Sequence, residues 1–237
     1  MSLLPWLPSH DLEFPPPDEA LRDPPGLLCA GGDLSPKRLE AAYRQGIFPW
    51  YEAGSPILWW SPDPRTVLRP DTLRISRSTR RRLNRRDYEV TADTAFDAVV
   101  SACAAPRADT NETWITSEMA QAYGRLHRLG MAHSVEVWHL EAGARELIGG
   151  IYGVALGGCF FGESMFSRRT GGSKIALVHL LEQMQRWDMP LLDCQLHNAH
   201  LASLGARPMR RAAFLAELRV LLERPAPGSP WKLDYAW

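Results

Sequence analysis

From Arg65 onward, short apolar runs alternate with stretches in which apolar residues return every three or four positions. The runs predict strands near 65–69, 73–76, 88–92, 132–140, 146–156, 158–166, 190–195 and 206–209. The wider spacing predicts helices near 78–86, 93–104, 117–129, 173–187, 199–204 and 211–223. Strands and helices in mixed order imply an α/β (α+β) sheet domain over 65–237. The first 64 residues read differently. Twelve of the 19 prolines fall at or before Pro64, so a small, loop-rich N-terminal domain without long elements is expected there. It holds one clear helix: Ser35 is placed to cap it, Pro36 fits its first turn, Leu39, Ala42 and Tyr43 form an apolar stripe, and Gly46 closes it. Ser61-Pro62-Asp63-Pro64 reads as a turn or hinge between the two parts. The tail from Pro225 to Trp237 reads as a loop docked by Trp231.

Composition narrows the class. A chain of 237 residues, 45% hydrophobic, is ample for a packed core, and 27 basic against 27 acidic residues exclude a globally basic binder. Any nucleic-acid site must therefore be a local cluster. Cys29, Cys103, Cys159 and Cys194 lie far apart, without the paired spacing of a zinc or redox site. No signal-peptide pattern opens the chain, and no stretch approaches the ~18 consecutive apolar residues of a membrane span. A cytoplasmic protein is the expectation.

Several segments carry candidate chemistry. Residues 74–86 hold seven arginines in 13 positions, and Arg77, Arg80, Arg81, Arg82, Arg85 and Arg86 fall on or beside a helix that Ser78 would cap. Like charges at i,i+4 destabilise an isolated helix by roughly 0.2–0.5 kcal/mol per pair, which a phosphate backbone would offset. The competing reading is a solvated face neutralised by acidic residues elsewhere. In Leu191-Leu192-Asp193-Cys194-Gln195, strand alternation puts Asp193 and Gln195 on one face and Cys194 on the other. The pair is either a catalytic carboxylate and carboxamide at a strand end or a turn cap, and Cys194 reads as a small buried hydrophobe. Glu163, set among aromatics, must be paired or solvated, whether its part is structural or chemical. The stretch Arg168 to Lys174 opens a helix with glycines and Ser173 as its cap, suited to an anion and loosely resembling an acetyltransferase loop. Leu177, Leu180, Leu181 and Met184 follow at i, i+3, i+4 and i+7, a core stripe or in part the wall of an apolar pocket.

Seven stretches taken in order resemble the leucyl/phenylalanyl-tRNA–protein transferase family. They are Gly31-Gly32-Asp33-Leu34-Ser35-Pro36, Gly46-Ile47-Phe48-Pro49-Trp50, Trp59-Trp60-Ser61-Pro62-Asp63-Pro64-Arg65, Thr113-Trp114-Ile115, His133-Ser134-Val135-Glu136-Val137-Trp138, Gly162-Glu163-Ser164-Met165-Phe166-Ser167 and Asp193-Cys194-Gln195. The resemblance implies a small N-terminal domain and a catalytic domain like that of GCN5-type acyltransferases. The segment from Asn198 to Leu204-Gly205-Ala206 is similar to the end of acetyltransferase cores. The implied reaction passes Leu, Phe or Met from its tRNA to the α-amino group of a protein beginning with Arg or Lys, without coenzyme A, ATP or metal.

Roles follow from residue chemistry and, for some positions, from the same resemblance. Gln195 accepts a hydrogen bond from the attacking amine, Asp193 polarises Gln195 and helps remove the proton, and Glu163 orients the aminoacyl end. Trp50 and Trp114 lie near the terminal adenosine. Met165 and Leu177, in matched motifs, contact the apolar side chain; the helix pattern alone adds Leu180 and Met184. Asn198 is also expected at the substrate, and the arginine cluster, which matches the family in character only, contacts tRNA phosphates with Lys174. A monomer that engages neither DNA nor membrane is expected. Two rival readings stay open: a coenzyme A-dependent N-acetyltransferase, and a non-enzymatic RNA-binding protein.

Overall fold

The computed structural model describes residues 4–85, 87–105, 115–141 and 143–235. The N-terminal segment builds a four-stranded sheet from short strands. In chain order it contains β1 (Trp6–Leu7), β2 (Leu27–Gly31), helix α1 (Pro36–Arg44), β3 (Phe48–Pro49) and β4 (Leu58–Trp60), with the strands ordered β1-β2-β4-β3. Prolines keep these strands short, because a proline cannot donate to a ladder. Helix α1 forms as its signals predict: the Ser35 hydroxyl accepts from the Arg38 N–H, and Leu39, Ala42 and Tyr43 are buried.

The remaining chain alternates β5 (Arg65–Leu68), α2 (Arg77–Leu83), β6 (Tyr88–Ala92), α3 (Phe96–Ala104), α4 (Ser117–Arg128), β7 (Ala132–Glu141), β8 (Ala144–Leu156) and β9 (Cys159–Ser167). It continues with α5 (Gly172–Arg186), β10 (Leu191–Gln195), α6 (Ala199–Ser203), β11 (Arg207–Met209) and α7 (Arg211–Leu222). The strands form one sheet in the order β11-β5-β10-β9-β8-β7-β6, in which β9 and β10 run parallel and all other neighbours antiparallel. The protein is thus a mixed α/β fold.

Alternation along the central strands feeds two cores. Ile151, Phe160 and Leu192 face α5, whereas Tyr152, Phe161 and Leu191 face α3, α4 and the N-terminal sheet. The second core includes Leu28, Leu39 and Tyr43 from the N-terminal segment, so both sheets close over shared apolar side chains. Helix α5 starts hard against β8 because two glycines meet there: a Cβ on Gly149 would lie 2.4 Å from the Gly172 carbonyl carbon.

Three expectations are corrected. Residues 73–76 form no strand: the chain turns at Pro70–Thr72, and Ser76 rather than Ser78 caps α2 by accepting from the Thr79 N–H. Helix α5 is capped by Gly171, at φ +87°, and not by Ser173, whose own N–H is taken by the Ser167 hydroxyl of β9 at 2.8 Å. The tail is a loop in which Trp231 is buried, stacked on His133 with ring centroids 4.0 Å apart. Trp114 and Arg86 lie outside the described residues.

Candidate active site

The parallel pair of strands sets the site. Its register runs Leu191 with Cys159, Leu192 with Phe160 and Asp193 with Phe161, then ends while β9 continues to Ser167. Where the strands part, a cleft of about 570 Å³ opens, walled by Ile151, Met165, Leu177 and Leu192 and edged by Glu163, Ser173, Gln195, Asn198 and His200. A second cavity of about 230 Å³ adjoins it, walled by Phe48, Pro49, Trp50 and Leu196. Glu163, Cys194, Gln195 and Asn198 border both.

Gln195 holds its position through strained backbone. Its φ of +55° lies in the left-handed region, and the register of β10 on β5 shifts between Asp193 and Gln195. That shift breaks the alternation expected from sequence: Cys194 does not face away from Gln195 but borders both cavities with it. Burial pushes the Cys194 thiol up, which keeps it protonated and unsuited to attack.

Asp193 borders neither cavity. It is fully buried, and its Oδ1 accepts the Gln195 backbone N–H at 2.9 Å. Arg65 donates Nε to Oδ1 at 2.8 Å and Nη2 to Oδ2 at 2.6 Å, and its Nη1 donates to the Gly46 carbonyl at 2.9 Å. The guanidinium lies between the rings of Phe48 and Phe214, 4.9 and 4.8 Å from their centroids. Arg65 therefore ties the N-terminal segment, β10 and α7 into one frame. The expected contact of Asp193 with the Gln195 carboxamide is replaced by this grip on its main chain.

The carboxamide turns instead to Glu163, with Nε2 3.4 Å from Oε1. Glu163 also meets two phenols. Tyr43 of α1 lies 2.7 Å from Oε1, Tyr123 of α4 lies 2.6 Å from Oε2, and the two hydroxyls are 2.7 Å apart. Burial raises the Glu163 pKa to about 7 against the phenolic hydrogen bonds, which lower it, with Asp193 raising and Arg65 lowering it further. Burial also pushes both tyrosines well above their ordinary range, so they keep their protons.

The other predicted residues separate into two groups. Met165, Leu177 and Asn198 border the cleft, and Asn198 additionally caps α6 by accepting the Leu201 N–H at 2.8 Å. Trp50 is exposed on the wall of the second cavity, 5.5 Å from the Trp60 ring. Leu180 and Met184 do not reach either cavity; both are fully buried in the core under α5, as a helix stripe most often is. Sequence reasoning missed Arg65, Tyr43 and Tyr123 as site residues. Arg65 lay in a matched motif and Tyr43 in a helix stripe, but nothing marked Tyr123.

Beside the cleft lies the arginine face. Thr79 and Leu83 anchor α2, while Arg77, Arg80, Arg81 and Arg85 are exposed and Arg82 is half-buried. Arg85 pairs with Asp87 at 3.2 Å; among the described residues no ion pair engages Arg77, Arg80, Arg81 or Arg82. The Arg82 stem lies 3.7 Å from a Cβ built on Gly171, at the start of α5, and Lys174 sits in the first turn. Lys174 lies near enough to His200 to add to burial in lowering that imidazole's pKa. The basic face thus runs up to the cleft rim. Arg169 pairs with Glu146, and Arg168 donates to the Leu147 carbonyl at 3.2 Å, so both serve the fold.

The mixed sheet, whose parallel pair of strands parts over a cleft with apolar walls and a polar edge, agrees with the mixed-sheet catalytic domain that the sequence motifs implied. Two family models match the chain: leucyl/phenylalanyl-tRNA protein transferase over residues 67–219 and the N-terminal domain of the same transferase over residues 32–63. Relatives named leucyl/phenylalanyl-tRNA–protein transferase include one from Stutzerimonas stutzeri, 54% identical over 97% of this chain and 100% of its own length. Those from Nitrosomonas europaea and Aromatoleum aromaticum are 55% and 56% identical, covering 96% and 99% of this chain and 94% and 97% of theirs. The chain belongs to the leucyl/phenylalanyl-tRNA–protein transferase family.

Proposed function

We propose that this protein moves Leu, Phe or Met from aminoacyl-tRNA onto the α-amino group of proteins beginning with Arg or Lys, marking them for N-end-rule degradation in the cytoplasm. The observation that carries the reading is the meeting of two cavities, one aromatic-walled and one apolar-floored, at Glu163 and Gln195. An aminoacyl ester is already activated, so the enzyme must chiefly hold ester and amine together. Such positioning supplies roughly 7–11 kcal/mol.

In this reading Trp50 stacks on the terminal adenosine, worth about 1–3 kcal/mol. Met165 and Leu177 receive the amino-acid side chain, and Asn198 contacts the substrate at the junction. The Gln195 carboxamide oxygen accepts from the attacking amine, since a carboxamide has no proton affinity to act as a base. Asp193 serves by holding Gln195. Arg77, Arg80, Arg81, Arg82, Arg85, Arg86 and Lys174 meet tRNA phosphates.

The test supplies radiolabelled Leu-tRNA and a peptide beginning with Arg. Label should reach the peptide, RNase should abolish it, and acetyl-CoA should leave it unchanged. Binding of charged and uncharged tRNA alike, with no label transferred, would overturn the reading.

A further inference from the structure

The contacts around Glu163 pose a proton count. Three short O···O contacts close a ring: Tyr43 to Oε1 at 2.7 Å, Tyr123 to Oε2 at 2.6 Å, and Tyr43 to Tyr123 at 2.7 Å. Each hydrogen bond needs one proton, and the two phenols hold only two between them. With Glu163 ionised, one pair of oxygens would face each other at 2.7 Å with nothing between them. A proton on the carboxyl completes the set: Oε1–H donates to Tyr43, Tyr43 to Tyr123 and Tyr123 to Oε2. The reverse circuit is equally complete, and such closed chains reinforce themselves.

The surroundings favour the neutral acid. Tyr43, Tyr123 and Tyr152 of β8 are fully buried, and a charge on Glu163 adds to burial in raising the Tyr152 phenol. Of the described residues, Asp193 and Arg65 act on its charge from β10 and β5, in opposite directions, and they are bound to each other. Gln195 contributes a neutral amide.

We propose that Glu163 carries the proton between the attacking amine and the departing ribose oxygen, and that Tyr43 and Tyr123 are positioning residues that hold its carboxyl in a three-proton ring. This rests on the aminoacyl-transfer reading above. The amine nitrogen bonds to the ester carbonyl carbon, and Oε1–H protonates the ribose oxygen as the carbon–oxygen bond breaks. Oε1 then takes the proton shed by the new amide nitrogen. The ring begins and ends the cycle with three protons, and no other reactant is needed.

Carboxyl ¹³C NMR of the full chain, labelled in its glutamates and assigned by Glu163→Gln, tests the ring without reference to activity. Glu163 should titrate near neutral pH, about 7. Tyr43→Phe or Tyr123→Phe opens the ring, which costs the neutral acid two hydrogen bonds and the ionised form one, and should lower that midpoint by about 1 pH unit. In transfer assays Glu163→Gln should lower kcat about 10²–10⁴-fold with a smaller change in KM. The two Phe variants should shift the alkaline limb of the kcat profile downward with the NMR midpoint. A Glu163 midpoint near 4–5, or Phe variants that raise it or leave it unmoved, overturns the ring. Full-rate transfer by Glu163→Gln overturns the proton-carrying role while the transfer reading stands. Wild-type protein that moves no label sinks that reading instead, and the titration still decides the ring.

Discussion

Arg65 and Asp193 lie 128 residues apart in the chain and meet as a buried, doubly hydrogen-bonded ion pair. The pair anchors the strand end that carries Gln195 to the N-terminal segment, through the Gly46 carbonyl. Removing one partner of a buried pair leaves an uncompensated charge, at a cost of about 3–5 kcal/mol. Asp193→Ala should therefore lower Tm by roughly 6–20 °C in a chain of this size. Unchanged thermal unfolding would show that Asp193 is no structural anchor.

Glu163 gives stability a distinct pH dependence. Its pKa is about 7 in the folded protein against an ordinary 4.5, so the unfolded chain ionises first as pH rises. The contribution is fully present below about 4.5 and is lost by the time pH passes about 7. The shift corresponds to roughly 3 kcal/mol at most. Relative to wild type, Glu163→Gln should gain stability between pH 5 and 8, measured by urea unfolding at both. A constant difference would contradict the raised pKa.

The arginine face of α2 should act on affinity and not on folding. Each of Arg77→Ala, Arg80→Ala and Arg81→Ala should weaken tRNA binding similarly for every tRNA and reduce the salt slope by about 1. Tm should hold or rise slightly, because like charges at helical spacing are removed. Filter binding across salt concentrations checks this, and an unchanged slope for all three would place the tRNA elsewhere.

The stripe on α5 separates packing from selectivity. Leu180→Ala and Met184→Ala should each destabilise by about 2–5 kcal/mol without altering the ratio of Leu to Phe transferred, since neither side chain reaches the cleft. Met165→Ala, on the cleft wall, should change that ratio by about 10-fold or more. Competition assays with both charged tRNAs distinguish the two classes.

What the sequence determined by itself is local. Ser35, Pro36 and the stripe through Leu39, Ala42 and Tyr43 specify α1, and period-two alternation specifies strands such as Tyr88–Ala92, because caps and periodicity act within one or two turns of chain. The seven ordered motifs likewise carried the family. Tertiary structure alone decided which side chains meet. Alternation put Cys194 on the wrong side because a left-handed residue and a register shift interrupt β10. The stripe on α5 did not reveal that Leu177 lines the cleft while Leu180 and Met184 do not. Tyr43 and Tyr123 reach Glu163 across 120 and 40 residues of sequence, and Arg65 reaches Asp193 from the neighbouring strand β5, 128 residues earlier in the chain. No local periodicity encodes such encounters; they exist only once α1, α4 and the two parting strands are packed together.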